Sequence, residues 1–210
     1  MRSFCVLVVM GLLVGCGSVR GPATQYYRLE IPQVPTPPGP SEQASIRIKR
    51  CLASGFLRQD RIVYRPSPVE VGFYEYHRWA EQPSDTVTKA LADQLTKRRL
   101  FQSVEVSDAE DKADYVLKGS IDRLQEVDYA GNVRVQVSIS AALEDSAQQQ
   151  EIWSSTASSE CVVAKSDVQA VVAAMGQASQ QSILRLMTDV TKFVQANPLG
   201  AVSSVGPRPH

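Results

Sequence analysis

Side chains that could perform catalysis are few in this sequence. Histidine occurs only at His77 and His210, so a Ser–His–Asp triad or a multi-histidine metal site has almost no material. The sequence has no glycine-rich phosphate loop, no His-Glu-x-x-His motif and no Cys-x-x-Cys pair. Aspartate and glutamate are scattered, and two of them could meet in space as general acid and base. The sequence therefore predicts a non-enzyme without metal or cofactor, with a carboxylate-based hydrolase as an alternative.

One cysteine near the start of the chain has the spacing of a modification site. The first three residues carry one positive charge, and residues 4–14 form an apolar run that is too short to span a bilayer. The run ends in a Leu-Val-Gly-Cys tetrapeptide at residues 13–16, which matches the lipobox of bacterial lipoproteins. In that chemistry a transferase attaches diacylglycerol to the cysteine thiol, and a peptidase cuts just before it. We predict a signal peptide at residues 1–15 and lipidation of Cys16, with an ordinary signal peptide as the alternative.

The residues after Cys16 bear on where the protein is held. Position 17 is Gly rather than the Asp that retains many lipoproteins at the inner membrane, so we expect an outer-membrane lipoprotein facing the periplasm of a Gram-negative bacterium. Several acyl chains such as palmitate, at ~0.8 kcal/mol per buried methylene, form a stable anchor. Residues 16–24 comprise the lipidated cysteine and a tether of about 25 Å when extended. The folded part must therefore work close to its membrane.

Two further cysteines remain in the mature chain. Cys5 leaves with the signal peptide, whereas Cys51 and Cys161 each lie at the end of a predicted strand. A pair of cysteines in an oxidising compartment is commonly a disulfide, which would stabilise the fold by roughly 4 kcal/mol in the chain-entropy model. Two separate buried thiols are the alternative.

Charge and acidic clusters narrow the range of partners. Lys and Arg number 22 and Asp and Glu number 22, with no basic stripe, so nucleic acid is not an expected partner. Four carboxylates are close together in sequence, at Asp108, Glu110, Asp111 and Asp114. Because the helix–loop–helix frame of a calcium site is missing, we interpret them as a solvated loop.

An aromatic segment precedes the first predicted helix. Four aromatic residues fall within seven positions, and the segment contains Tyr74, Tyr76, His77, Arg78 and Trp79. One interpretation is a structural clasp that holds the helix on the sheet edge. The other is a partner-binding hot spot, because Tyr, Trp and Arg are enriched at such sites.

Hydrophobic periodicity predicts the elements that position these residues. The pattern predicts strands at 26–31, 46–48, 61–65, 70–74, 103–106, 115–127, 133–139 and 150–163, a helix capped by Ser84 that runs to about Arg99, and a long helix capped by Asp167. We therefore predict an α+β fold, with a largely antiparallel or mixed β-sheet and two main helices packed on one face. Residues 25–196 form a single domain, and residues 197–210 form a polar tail that we expect to be disordered.

Several motifs together carry a family resemblance. After the lipobox come Tyr27-Arg28-Leu29, then Asp60-Arg61-Ile62-Val63-Tyr64-Arg65, and finally Tyr76-His77-Arg78-Trp79-Ala80-Glu81. With these motifs, residues 16–196 resemble the ABC-type transport auxiliary lipoproteins, the PqiC/YmbA family.

The resemblance implies a fold and a role. The fold would resemble the amino-terminal domain of TolB-like periplasmic proteins. The role would be a docking accessory of an MCE-type lipid transport system, whose partners are an MCE-domain protein and the associated ABC permease and ATPase. A periplasmic lipid-binding carrier is the alternative, because small residues in the middle of the last helix could leave a groove for acyl chains. The sequence leaves the oligomeric state open, with a homo-oligomer among the alternatives.

Overall fold

The computed structural model describes residues 21–35, 42–109, 112–129, 131–164 and 167–199. The predicted signal peptide, Cys16 and most of the predicted tail therefore lie outside the described residues. Within these ranges the chain forms β1 (Gln25–Tyr27), β2 (Glu42–Ile48), β3 (Leu52–Ala53), a 3-10 turn (Gly55–Arg58), β4 (Arg61–Ser67), β5 (Glu70–Trp79), α1 (Pro83–Arg98), β6 (Phe101–Val106), β7 (Tyr115–Val127), β8 (Arg134–Asp145), β9 (Gln150–Val162) and α2 (Val168–Ala196).

Strand β7 is the centre of one mixed sheet because both of its edges are paired. One edge pairs antiparallel with β8 along nearly its whole length, and β8 pairs antiparallel with β9. The other edge is shared by β2, β3 and β4, which are all parallel to β7. Strand β6 extends the sheet beside β2, while β5 and then β1 extend it beside β4. This confirms the predicted α+β class with a mixed sheet.

Both helices pack on one face of the sheet. This face carries the alternating apolar residues of β7 and β8. Helix α2 lies against β8 and β9, and α1 lies against β6 and touches α2. The apolar face of α2 is buried and includes Met175, Ala178, Leu186 and Val190. No helix in the described ranges combines the length and the apolarity that a membrane crossing needs.

Local capping chemistry determines where both helices begin. Asp167 caps α2 as predicted, because its Oδ1 accepts a hydrogen bond of 2.7 Å from the Ala170 amide. The prediction that Ser84 caps α1 is wrong by two residues. Pro83 occupies the first turn and Gln82 precedes it, since proline lacks the amide hydrogen that would be unpaired there.

The first strand is shorter than predicted. Strand β1 ends at Tyr27, and residues 28–35 then leave the sheet and cross the two helices as a segment that we call the strap. Leu29 of the strap is buried, and the carbonyl of Pro32 accepts a hydrogen bond of 2.6 Å from Gln180 Nε2 on α2. The strap crosses α2 at Gly176, where a Cβ atom would lie 2.0 Å from the Glu30 carbonyl oxygen. Gly176 therefore lets the chain's own backbone lie close against α2.

The predicted Cys51–Cys161 disulfide is wrong, because both cysteines are free. The Cys51 side chain is buried against Gly119 in the first half of β7. Cys161 lies on β9 opposite Val135, which itself pairs with Glu126 near the end of β7. Seven residues along a strand and two strand spacings separate the two sites by roughly 25 Å, far beyond the reach of a disulfide. Burial raises the pKa of the Cys51 thiol, which keeps it protonated.

Candidate functional site

The three motifs that stand out in the sequence meet at one edge of the sheet. Strand β1 carries Tyr27, the turn before β4 carries Asp60, and β5 carries the aromatic run, and these strands are neighbours in the order β1–β5–β4. We call this region the motif cluster, comprising residues 27–29, 60–65 and 74–81. Segments far apart in sequence are therefore held together by main-chain pairing.

Backbone hydrogen bonds join the three segments of the motif cluster. The Trp79 amide donates to the Asp60 carbonyl over 2.6 Å, and the Ala80 amide donates to the Tyr27 carbonyl over 2.7 Å. The Arg78 guanidinium adds a salt bridge of 2.7 Å to the Asp60 carboxylate. The end of β5 is thus tied both to β1 and to the turn before β4.

Side chains of the motif cluster form an aromatic clasp, which consists of Tyr27, Tyr64, Tyr74 and His77. The Tyr27 hydroxyl lies 2.9 Å from His77 Nδ1, and the edge-to-face rings of Tyr74 and His77 have centroids 5.4 Å apart. The rings of Tyr64 and Tyr74 follow at 5.1 Å. Such aromatic contacts contribute about 0.5–1.5 kcal/mol each beyond the area that they bury.

Gly72 gives the Tyr64 ring its place in the clasp. Tyr64 and Gly72 are partners in the β4–β5 register, so their side-chain positions share one face. A Cβ atom on Gly72 would lie 2.3 Å from Tyr64 Cζ, which shows that the ring lies flat on the glycine backbone. The phenol therefore fills the gap that a strand glycine leaves.

A buried carboxylate lies beneath the clasp. Glu126, on the core face of β7, is only 5% exposed, and it accepts a hydrogen bond of 2.7 Å from the Tyr74 hydroxyl. Burial, and to a smaller extent the charge of Asp128, raises the pKa of Glu126, although the bond from Tyr74 opposes this shift. Burial and the same carboxylate also raise the pKa of Tyr74. Folding therefore shifts the titration of Glu126 to higher pH than in the unfolded chain.

The stability of the protein should depend on the titration of Glu126. A carboxyl group whose pKa is raised by folding stabilises the fold at low pH, and that contribution is lost as the pH rises through the folded-state pKa. We expect the free energy of unfolding, relative to that of Glu126→Gln, to fall as the pH rises from 4.5, the ordinary pKa of a glutamate, through the raised pKa of the folded state. Urea denaturation of both proteins across this range measures the difference. A difference that stays constant or grows with pH contradicts the shift.

The structure sorts the predicted partner-binding residues into two groups. Tyr74, His77, Arg78 and Trp79 each contact other parts of this chain: the first three bond to Glu126, Tyr27 and Asp60, and Trp79 is buried. Tyr76 is partly exposed like the first three, but the group that raises its pKa is its neighbour Glu75 rather than a residue of another segment. Contact with a partner stays a prediction for the segment, and Tyr76 is the aromatic residue most available for it.

The two described carboxylates of the acidic loop, Asp108 and Asp114, accept hydrogen bonds from residues in β2 and just after it. Asp108 accepts a hydrogen bond of 2.9 Å from the Arg50 amide, and Asp114 accepts bonds of 2.7 Å from the Ser45 amide and hydroxyl. These bonds lower the pKa of Asp114 and keep it ionised. Among the residues that the structure describes, no cluster of three His, Cys, Asp or Glu could hold a metal ion. Glu110 and Asp111 lie outside those residues.

Comparison with known proteins identifies the class that this fold and cluster define. The family of ABC-type transport auxiliary lipoprotein components matches residues 27–186, a stretch that covers all three segments of the motif cluster. The chain therefore belongs to this family. A search of curated proteins finds no match.

Solved structures support the fold. Protein XCC0632 from Xanthomonas campestris is similar with a TM-score of 0.71 and 21% identity, over 82% of this chain and 99% of that one. A PelC dodecamer from Paraburkholderia phytofirmans has a TM-score of 0.50 and 10% identity, over 74% and 94% of the two chains. The hypothetical protein CT253 from Chlamydia trachomatis also has a TM-score of 0.50, with 11% identity over 74% and 99%. At these identities the likeness establishes the fold alone.

Proposed function

We propose that this protein is a lipid-anchored, non-catalytic docking subunit of an MCE-type ABC transport system that moves lipids between the inner and outer membranes. Membership of the auxiliary lipoprotein family supports the link to an ABC transport system. The observation that carries the proposal is the path of the chain just after the predicted anchor. Residues 25–27 join the sheet edge and the strap then enters the space between the helices. An acyl group on Cys16 would therefore hold the whole domain, through a short link, at the membrane.

The geometry of the motif cluster supports a docking role over hydrolysis. His77 lies between the rings of Tyr27 and Tyr74, and its Nδ1 faces a phenol rather than a serine or cysteine nucleophile. The buried carboxylate Glu126 bonds to Tyr74, a group whose own pKa is raised. These groups hold strands together, and the ATPase chemistry would belong to a partner.

The space between the helices and the sheet argues against the carrier alternative. Gly176 of α2 faces the strap backbone, and the cavity that the strap shares with both helices, lined by Ile31, Ala90 and Ile183 among others, has a volume of about 10 Å³. That is room for about one water molecule, whereas ligand pockets commonly measure about 300–1,000 Å³. In the described part of the chain, the groove expected for acyl chains is filled.

We propose further that the protein is held at the outer membrane and forms a homo-oligomer. Gly17 after the lipidated cysteine favours the outer membrane, so that the domain would face the distal end of an MCE-protein bridge. The fold is shared with a PelC protein that forms a dodecamer, and we propose on that basis that this lipoprotein also works as a homo-oligomer.

Affinity capture from detergent-solubilised envelopes tests the proposal. The full-length lipidated protein, tagged at its carboxyl terminus, should recover an MCE-domain protein together with its permease and ATPase. A Cys16→Ser form, made at the same level, should leave the membrane fraction and recover much less. Tyr76→Ala should stay folded and anchored and should recover less partner if the aromatic segment makes contact. Recovery of no MCE-domain protein by the anchored parent would contradict the proposed role.

A further inference from the structure

One end of the sheet is formed by a row of paired residues and by a hairpin tip beyond it. Arg65 of β4 pairs with Val127 at the end of β7, Val127 pairs with Arg134 of β8, and Arg134 pairs with Val162 of β9. Strands β4 and β5 continue past this row and are joined by the tip, residues 67–70. The tip is therefore the part of the sheet that projects farthest in this direction.

The tether approaches the sheet from this same end. Strand β1 runs parallel to β5 with Gln25 opposite His77, so the residues before Gln25 come from the side on which β5 begins. Six residues of β4 separate Arg61, which pairs with Arg78, from the start of the tip, a distance of roughly 20 Å. The tether from Cys16 is about 25 Å long when extended. An anchor at Cys16 can therefore lie level with the tip, and we call this part of the sheet the tether end.

The two most exposed large hydrophobic residues of the described chain lie at the tether end. Val69 at the tip is 94% exposed, and Val162 at the end of the row is 74% exposed. Pro68 beside Val69 is also exposed, and its carbonyl accepts a hydrogen bond from the Arg65 guanidinium, which holds the tip in place. A single exposed valine is ordinary, but here the apolar side chains lie at the end to which a membrane anchor would be tied.

Charge does not select a partner at the tether end. Two cations of the row are accompanied by three carboxylates of the tip, the row's strands and the adjoining turn; these residues are Arg65, Arg134, Glu70, Asp128 and Glu160. Arg134 also pairs with Glu160, with 3.5 Å between Nε and Oε2. The tether end therefore offers an apolar contact that does not depend on the charge of its partner.

We propose that the tip between β4 and β5 contacts the anchoring membrane, with the Val69 side chain in the headgroup region and Val162 beside it. The inference rests on the lipid anchor of the proposed function, because two valines are too little apolar surface to bind a bilayer alone. Glu70 limits the depth, since its carboxylate must stay hydrated. An acyl anchor on a tether fixes the distance of the domain from the membrane. The tip contact would fix its orientation, so that the opposite end of the sheet faces the periplasm.

Fluorescence quenching in the full-length lipidated protein, reconstituted in phosphatidylcholine vesicles, tests this contact. Cys51 is buried, and Cys161→Ser removes the other free thiol, so that a nitrobenzoxadiazole label can be attached at Val69→Cys alone. Because Val69 is exposed, its replacement should leave the fold intact. Lipids with a doxyl group near the headgroup should lower the emission of this label by roughly half or more, since interfacial side chains lie about 5–10 Å within the headgroup boundary.

Val106→Cys, labelled in the same way, is the matched control. Val106 is an exposed valine on β6, and the register through β2 places it level with Leu117. Ten residues of β7 separate Leu117 from Val127, so Val106 lies roughly 33 Å from the row of the tether end along the strands. Its label should keep its emission. The Val69 label should also keep its emission in a Cys16→Ser form, because the tip alone does not hold the domain on the vesicle.

Flotation of the vesicles separates failure of the anchor from failure of the contact. A parent protein that does not float with them has no anchor, and the proposed function and this inference fail together. If the protein floats but the Val69 label is not quenched, or the Val106 label is quenched equally, the contact is wrong and the anchor stands. Quenching that requires phosphatidylglycerol would indicate headgroup binding, and a Val69 label that responds only to an added MCE-domain protein would assign the tip to a partner. Either result overturns the inference.

Discussion

Replacing Gly176 by alanine should destabilise the protein by about 1–3 kcal/mol, and replacement by valine should cost more. In the middle of most helices the alanine change would stabilise by roughly 1 kcal/mol, because glycine is a poor helix former. Here the new Cβ would lie 2.0 Å from the Glu30 carbonyl oxygen, a backbone atom that cannot rotate away. The strap must then move off α2, and Leu29, which is 1% exposed, leaves the core with it.

Ser179→Ala and Ser182→Ala on the same helix are the matched controls for Gly176→Ala. Both serines are fully buried, and their hydroxyls have no hydrogen-bond partner in the described structure. Removing a buried unsatisfied hydroxyl is nearly neutral or stabilising. Urea denaturation should therefore show a lower free energy of unfolding for Gly176→Ala and an unchanged or higher one for the two serine variants. A Gly176→Ala protein as stable as its parent would show that the strap does not lie on the helix.

Trp79→Ala should lower the free energy of unfolding by about 3–5 kcal/mol, the usual cost of removing a buried tryptophan. Trp79 is 6% exposed and belongs to the hydrophobic core, and its amide forms the hydrogen bond to Asp60 that closes the motif cluster. The indole therefore holds the end of β5 where the chain turns into α1. Its loss should loosen β1, β4 and β5 together, because they share that junction.

Tyr76→Ala is the comparison for Trp79→Ala, because it removes a neighbouring aromatic ring that is partly exposed. It should change stability far less than Trp79→Ala. Hydrogen exchange should show faster opening of β1 and β5 in Trp79→Ala and unchanged protection in Tyr76→Ala. If both variants retain the stability of the parent, the indole has no structural role in the core, which contradicts the interpretation of residues 74–79 as a structural clasp.

Several elements could be predicted from the sequence because the physics that forms them is local. The limits of β7 follow from its alternating apolar residues, and the start of α2 follows from the side chain of Asp167. The family resemblance rested on three short motifs, and the profile match over residues 27–186 confirms it. Alternation from Leu124 also places Glu126 on the core face of β7, although a charged residue is rare at a core position.

Other features were decided by contacts between distant segments. Both cysteines were predicted at strand ends, but seven residues along β7 and two strand spacings separate the two sites, a distance that no spacing in sequence reports. The small residues of α2 were compatible with a ligand groove as well as with close packing, and only the path of the strap across Gly176 distinguishes the two. Local patterns therefore determined the elements and their apolar faces, and they predict the anchor. Tertiary packing determined what those faces cover, because the backbone that fills the helix groove comes from the opposite end of the chain.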